Sequence, residues 1–267
     1  MSVTTKVPSE PSSRVAPFLP MLMAQTRAEL LKLWRTPAFS VISLALPVVG
    51  FLLFWVPNAN STVNGVKTGK YLLASFAAYG VLSVMLFSFG VSVAVERGQK
   101  LNVLMRATPL NPLAFLLAKV LTALAFGLAT VVLLFAFGTV VGGVRMDALL
   151  WVTLILRLLF GALPFIALGF AIGYLTGPNS AAPFTQMLFL ILSFGSGLFV
   201  PLSQLPSFMQ RIAPYLPTFS YAQIAWNALG AGDQSLQRDV LWLLGYCALF
   251  VCLALAGYRR EDTKTFG

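Results

Sequence analysis

From residue 37 onward the chain is a series of long apolar stretches separated by short polar punctuation. Six runs stand out: Pro37–Pro57, Leu72–Val95, Leu113–Val141, Ala148–Thr176, Ala181–Pro201 and Val240–Tyr258. A helix rises about 1.5 Å per residue, so roughly 20 apolar residues cross a hydrocarbon core of roughly 30 Å. Each run is about that long, and the third and fourth exceed it, which predicts tilting or kinking there. The pattern therefore predicts an all-α polytopic membrane protein. Its six transmembrane helices form one domain over 37–258.

The period changes before the first run. Residues 1–17 are rich in Pro and Ser with no apolar core of signal length, and read as a disordered tail. In Phe18–Thr36, the residues Leu19, Leu22, Met23, Leu30, Leu33 and Trp34 recur at steps of three and four, while Gln25, Glu29 and Lys32 lie off that face. This predicts an amphipathic helix over 18–36 lying in the membrane interface. Trp34 would sit at headgroup depth, with Arg27, Lys32 and Arg35 near anionic lipid. Residues 259–267 read as a closing tail.

Two interruptions say more than the spans. The loop Glu96–Pro112 (ERGQKLNVLMRATPLNP) is basic and amphipathic, and it is the largest segment between spans available to a soluble partner on its side. It points to a membrane subunit driven by another protein. The stretch 202–230, within GSGLFVPLSQLPSFMQRIAPYLPTFSYAQIAWNALG, carries Pro206, Pro214 and Pro217 after Pro201, so no single helix runs through it. It nevertheless stays apolar and aromatic. Two short helices around a break, dipping back into the membrane beside a pathway exit, fit that composition, because irregular backbone at that depth must be covered by protein or a wet cavity. A purely structural cap is the other reading.

Composition narrows the function. With 58% hydrophobic and 10% charged residues the chain is too apolar for a soluble globule. The net charge of +10 is distributed by side. Twelve cations (Lys6, Arg14, Arg27, Lys32, Arg35, Arg97, Lys100, Arg106, Lys119, Arg259, Arg260 and Lys264) fall on one side of six spans, against five on the other (Lys67, Lys70, Arg145, Arg211 and Arg238). Positive-inside bias predicts that both termini are cytoplasmic. No basic patch carries the interleaved aromatics that base stacking requires, so nucleic acid is not the expected partner. There is no histidine, and the two cysteines, Cys247 and Cys252, sit five apart on different faces of one span. No metal site or catalytic set is expected. All eight acidic residues lie in tails, loops or span edges, which disfavours a carrier driven by ion binding within the membrane. Gly65–Tyr71 only faintly resembles a phosphate loop: its glycines are one residue too close, and Tyr71 stands where Ser or Thr is needed. Asn60-Ser61-Thr62 fits a glycosylation pattern too short to weigh.

Inside the spans, Arg157 lies about 13 Å along the fourth. It is read either as a structural Arg on backbone carbonyls or as a pathway residue facing an anionic substrate group. Lys119, near the end of its span, is expected to snorkel outward. Gly169, Gly173 and Gly177 form a stripe spaced by four where a helix can approach closely, from the same subunit or from a second copy. Phe76, Tyr79, Phe87, Phe189 and Phe194, on the second and fifth spans, are the candidate apolar wall of a pathway, with the first span expected to join them in lining it.

The six-span layout, the N-terminal helix, the loop ERGQKLNVLMRATPLNPLAFLLAK and the broken segment GLFVPLSQLPSFMQRIAPYLPTFSYA together resemble the permease subunits of ATP-binding-cassette exporters of the type-2 family, with the type-five exporter fold. The resemblance covers Phe18–Tyr258. It implies that the loop after the second span is a coupling helix seated in an ATPase subunit, with Glu96, Arg97, Leu101, Leu104, Met105 and Arg106 making that contact. The same resemblance implies an outer re-entrant segment marked by Pro201, Pro206, Pro217 and Tyr221. It further implies two ATPase copies holding ATP and magnesium, none bound by this chain, and a second permease copy forming a homodimer. The implied activity is export of an amphipathic or hydrophobic, drug-like or lipid-like molecule. Many members carry an Arg where this chain has Trp226-Asn227-Ala228. A carrier or channel acting alone and a non-transporting scaffold are the alternatives.

Overall fold

In the computed structural model, described over residues 17–100 and 111–265, the apolar runs become helices around one buried axis. Helix α1 (Phe18–Trp34) buries none of its residues and leaves Trp34 82% exposed, as an interface helix would. Helix α2 (Pro37–Trp55) begins with Pro at its first position, where a missing N–H costs nothing. A two-stranded hairpin follows, β1 (Thr62–Val63) antiparallel to β2 (Val66–Lys67). Its turn residues Asn64 and Gly65 have φ of 49° and 78°, the pair of positive angles that an Asn-Gly type I′ turn supplies. The stretch that faintly resembles a phosphate loop is thus the hairpin turn and the start of the next helix.

That helix, α3 (Thr68–Leu86), is buried along nearly its whole length and on every face, so it is the centre of the bundle. It continues through a π-helical segment, Phe87–Val91, into α4 (Ser92–Gly98). Helix α5 (Pro112–Val140) is started by Asn111, whose Oδ1 accepts from the Leu113 N–H at 2.9 Å. The fourth run divides at Ala162 into α6 (Ala148–Gly161) and α7 (Leu163–Leu175), with Pro164 at the start of the second piece. Helix α8 (Ala181–Gly195) is only 15 residues long, about 22 Å. The broken segment holds α9 (Ser207–Ile212) and α10 (Pro217–Ala228), and the chain ends in α11 (Leu236–Thr265).

Five helical stretches among the described residues are long and apolar enough to cross a membrane: 40–58, 68–98, 113–140, 148–175 and 236–260. The fifth of the six expected spans, α8, is shorter than that length. Large apolar side chains on α2, α5, α8 and α11 face outward, among them Leu53, Val132, Met187 and Leu241, each at least half exposed. Around a central α3 with no polar coat, this is the surface of a protein solvated by lipid.

Close packing is made by small residues and one proline. Gly80 of α3 lies under the Pro47 ring of α2 and Thr130 of α5, each 2.8 Å from where a Cβ would stand. Gly169 and Gly173 of α7 lie against α3, the π segment and α4: a Cβ would be 2.7 Å from Phe89 Cβ at the first and 2.8 Å from Val93 Cβ at the second. The glycine stripe therefore serves packing within the subunit. Gly177 stands apart from it, meeting only Ser180 Oγ at an ordinary 3.6 Å.

Candidate functional site

Two ends of the bundle can be told apart. One carries α1, α4 and the start of α5; the other carries the hairpin and the broken segment. The α1 end holds a network of charges from three helices. Glu96 of α4 is 7% exposed. Its Oε1 accepts from Lys119 Nζ of α5 at 2.8 Å, from Lys32 Nζ of α1 and from Ser92 Oγ at 3.1 Å. Lys119 also pairs with Glu29 of α1 at 3.1 Å. Its side chain is 4% exposed and lies over the Phe115 ring at 4.9 Å, so it turns inward where outward snorkelling was expected. The reason is energetic: a buried ammonium beside two carboxylates is compensated, whereas buried alone it would be strongly disfavoured.

Arg97 makes the companion tie. Its guanidinium donates to the Gly173 carbonyl of α7, lies 3.5 Å from the Thr176 carbonyl and stands over the Tyr174 ring at 5.4 Å. Glu96 thus joins α4 to α1 and α5, while Arg97 joins it to α7. The contacts described for both side chains are made within the subunit. The other four coupling candidates, Leu101, Leu104, Met105 and Arg106, lie outside the described residues. What the structure adds is a footing for the helices on either side of that loop: Glu96 and Arg97 tie α4 to α1, α5 and α7, and Lys119, two turns into α5, ties it to α1 and α4.

The pathway candidates converge. Phe76 and Tyr79 of α3, Phe87 of the π segment, and Phe189 and Phe194 of α8 form one connected aromatic cluster with Phe54 of α2 and Phe199. Tyr79 stands 4.8 Å from Phe189 and 4.9 Å from Phe199; Phe76 is 5.7 Å from both Phe54 and Phe199; Phe87 is 5.8 Å from Phe189; and Phe194 stacks on Phe199 at 4.5 Å. Phe76, Tyr79 and Phe189 are buried under this sheet of rings, while Phe194 is 47% exposed at its edge. Phe54 is not named by the sequence reading, and Phe199 is read there as an aromatic of the broken outer segment and not as a pathway residue.

Arg157 donates from Nη1 to the Ile224 carbonyl of α10 at 2.9 Å, the structural arrangement of the two readings. Pro201, Pro206 and Pro217 each precede or open a short helix, as the broken-segment reading requires. Helix α10 is a core element, not a surface cap: every residue from Pro217 to Trp226 is buried. Tyr221 donates its hydroxyl to the Leu158 carbonyl at 3.0 Å, and Trp226 donates to Ser75 Oγ at 2.9 Å while stacking on Tyr71 at 4.9 Å. Where relatives were expected to carry an Arg, Asn227 instead donates to Asp239 Oδ2 at 3.2 Å. Among the described residues, no group of three or more His, Cys, Asp or Glu side chains could hold a metal ion.

A central buried helix, a broken membrane segment and a charge-footed loop define an architecture that known families can be tested against. The model of the ABC-2 family transporter protein matches residues 55–256. The chain belongs to the ABC-2 transporter family. The match spans α3 to the greater part of α11, which includes α10 and the aromatic cluster apart from Phe54, while α1 and its share of the charge network lie outside it. This ABC-2 permease is also 28% identical over 243 residues to a Bacillus subtilis (strain 168) protein named "Putative transport permease YvfS", covering 91% of the present chain and 98% of that one. An ABC-2 permease is a transport subunit embedded in the membrane, and the lipid-facing helices described above agree with that role.

Proposed function

We propose that this permease is the membrane half of an ATP-driven exporter. In this reading two copies of a separate ATPase bind ATP and magnesium and drive a homodimer of the permease. The cargo is an amphipathic or hydrophobic molecule, drug-like or lipid-like, taken from the cytoplasm or inner leaflet. Both termini lie in the cytoplasm of a bacterial-type cell, and the α1 end faces inward, as the distribution of Lys and Arg favours.

The observation that carries the reading is the footing of the loop between α4 and α5. A soluble motor can move membrane helices only if its contact point is rigidly joined to them, because packed interfaces shift between discrete arrangements. Glu96 and Arg97 supply that joint by tying the loop's first end to α1, α5 and α7. Displacing residues 101–110 would therefore tilt α3–α4 and α5 together. The aromatic cluster beside the half-exposed Phe194 suits the wall of a path completed by a second copy, two-fold pairing being the commonest closed symmetry.

The test is isolation of the chain from its native membrane with identification of what stays bound. A stoichiometric ABC ATPase, lost when residues 101–106 are scrambled, supports the reading, as does ATPase activity stimulated by a transported amphiphile. Recovery of the chain without any ATPase would favour a carrier or channel; a bound ATPase that no substrate stimulates would favour a scaffold.

A further inference from the structure

Between α1 and the face formed by the π segment, α4 and α5 lies a cavity of about 380 Å³. Its walls are of two kinds. Leu33, Phe87, Phe89 and Ala123 make an apolar surface, while Glu29, Lys32, Ser88 and Glu96 supply charge and hydroxyl groups. Ligand sites span roughly 300–1,000 Å³, so this one is the size of a headgroup with its glycerol, not of a whole lipid. Its depth is set by α1, the interface helix, which places it at headgroup level.

Charge chooses the class of ligand. Glu29, Glu96, Lys32 and Lys119 sum to zero, so a simple anion would meet two carboxylates and a simple cation two ammonium groups. Yet some bonding capacity is left over. The bonds described on Glu96 all fall on Oε1. Lys32 has three N–H donors, two of them engaged with Ser92 and Glu96, and its side chain is 48% exposed. Ser88 lines the cavity, and its Oγ, buried and without a partner in the protein, would gain one from a ligand oxygen if the side chain rotated towards the cavity. One carboxylate oxygen, one ammonium donor and one hydroxyl beside an apolar wall complement a molecule with a cation, an anion and chains.

We propose that this cavity binds the headgroup of a zwitterionic phospholipid carrying a primary ammonium. The ammonium is accepted by the carboxylates of Glu96 and Glu29. The phosphate takes hydrogen bonds from Lys32 and Ser88, and the acyl chains leave past Leu33 and Phe87 into the inner leaflet. The assignment of leaflet rests on the orientation proposed above; the chemistry of the site does not. A trimethylated headgroup has no N–H to give the carboxylates, and a glycerol headgroup offers them neutral hydroxyls but no cation to offset its phosphate, so both bind less well. Seated against Phe87–Val91, the lipid would brace the one stretch of the central helix that departs from α-helical winding. Such stretches are common at functional sites.

The experiment uses the purified full chain without any ATPase, so its failure leaves the transport reading standing. Native mass spectrometry would follow retention of chain-matched phosphatidylethanolamine, phosphatidylcholine and phosphatidylglycerol from an equimolar mixture. Phosphatidylethanolamine is expected to exceed each of the others by at least about fivefold, a ratio one charge-assisted hydrogen bond supplies. Glu29→Gln, which weakens the acceptor for the ammonium, should reduce the preference, whereas Lys32→Gln, at a half-exposed position, should lower retention of all three lipids alike. A phosphatidylethanolamine with a photoreactive headgroup should label peptides within 29–36 or 87–96. Equal retention of the three lipids, a preference unchanged in Glu29→Gln, or labelling concentrated on the lipid-facing α11 would each overturn the proposal.

Discussion

Gly173→Ala adds one methyl group at one of the two tight places in the helix stripe, and the structure decides its sign. The new Cβ would lie 2.8 Å from Val93 Cβ, 3.0 Å from Val93 Cγ1 and 3.0 Å from the Phe89 carbonyl oxygen. None of these is the free end of a flexible side chain, so α7 and the α3–α4 rod must move apart. Overpacking of this kind costs about 1–3 kcal/mol. Against it stands the intrinsic helical advantage of Ala over Gly, about 1 kcal/mol at most. The Gly173 carbonyl also accepts from Arg97, so separation weakens that tie as well and tilts the balance further towards loss. At Gly245, on the exposed face of α11, nothing lies within 4 Å of the added Cβ and only the helical gain remains. Thermal unfolding of the purified permease in detergent should therefore show Gly173→Ala melting about 2–10 °C below the parent, from about 2–4 °C per kcal/mol for a chain of this size. Gly245→Ala should melt at or above the parent, and Gly173→Leu should fail to assemble. If Gly173→Ala and Gly245→Ala melt within a degree of each other, the close-packing argument is wrong.

Other outcomes follow from single contacts. Tyr221→Phe leaves the Leu158 carbonyl without its donor, and should cost about 0.5–1.5 kcal/mol in the same melting assay. Arg157→Met should lower stability by about 1–3 kcal/mol through the lost bond to Ile224; ATPase stimulation per folded molecule should change little, and a selective loss of stimulation would return Arg157 to the pathway. Arg106→Glu is expected to weaken capture of the ATPase without moving the melting temperature, whereas Arg97→Gln should move it, because Arg97 faces α7. Phe194→Cys, in a background lacking Cys247 and Cys252, should give a disulfide-linked dimer in native membranes if that ring lies at a two-fold interface; a chain that stays monomeric under oxidant argues for another interface.

The sequence pattern was strongest where local chemistry sets an element's start. Pro37 and Asn111-Pro112 open α2 and α5 as their types demand. It was weaker at ends, because hydropathy reports solvation by lipid and not backbone winding. The last helix runs on to Thr265, well past the apolar run, since Arg259 and Arg260 leave the membrane without leaving the helix. The length of the fourth run pointed to a tilt or kink, and the structure has a break at Ala162, between Gly161 and Pro164; its position was not read from the sequence. The prolines of the broken segment announced interruptions, yet gave no sign that α10 is core; that depended on Tyr221, Trp226 and Thr218 finding carbonyl and hydroxyl partners in distant spans. The charge network was illegible for the same reason. Glu96 meets Lys119 from 23 residues away and Lys32 from 64, distances at which sequence spacing carries no geometry.

The division of the fourth span at Ala162 has a mechanical meaning. Its first half, α6, is fastened to α10 by Tyr221 and Arg157; its second half, α7, is fastened to α4 by Arg97 and to the central rod at Gly169 and Gly173. One membrane crossing is thus shared between two bodies, with Pro164 at the joint. Such a crossing is built like a knee: under the proposed ATP-driven reading, a stroke delivered beside Arg97 would bend it, and the α6 half need not slide through the bilayer for the α7 half to swing.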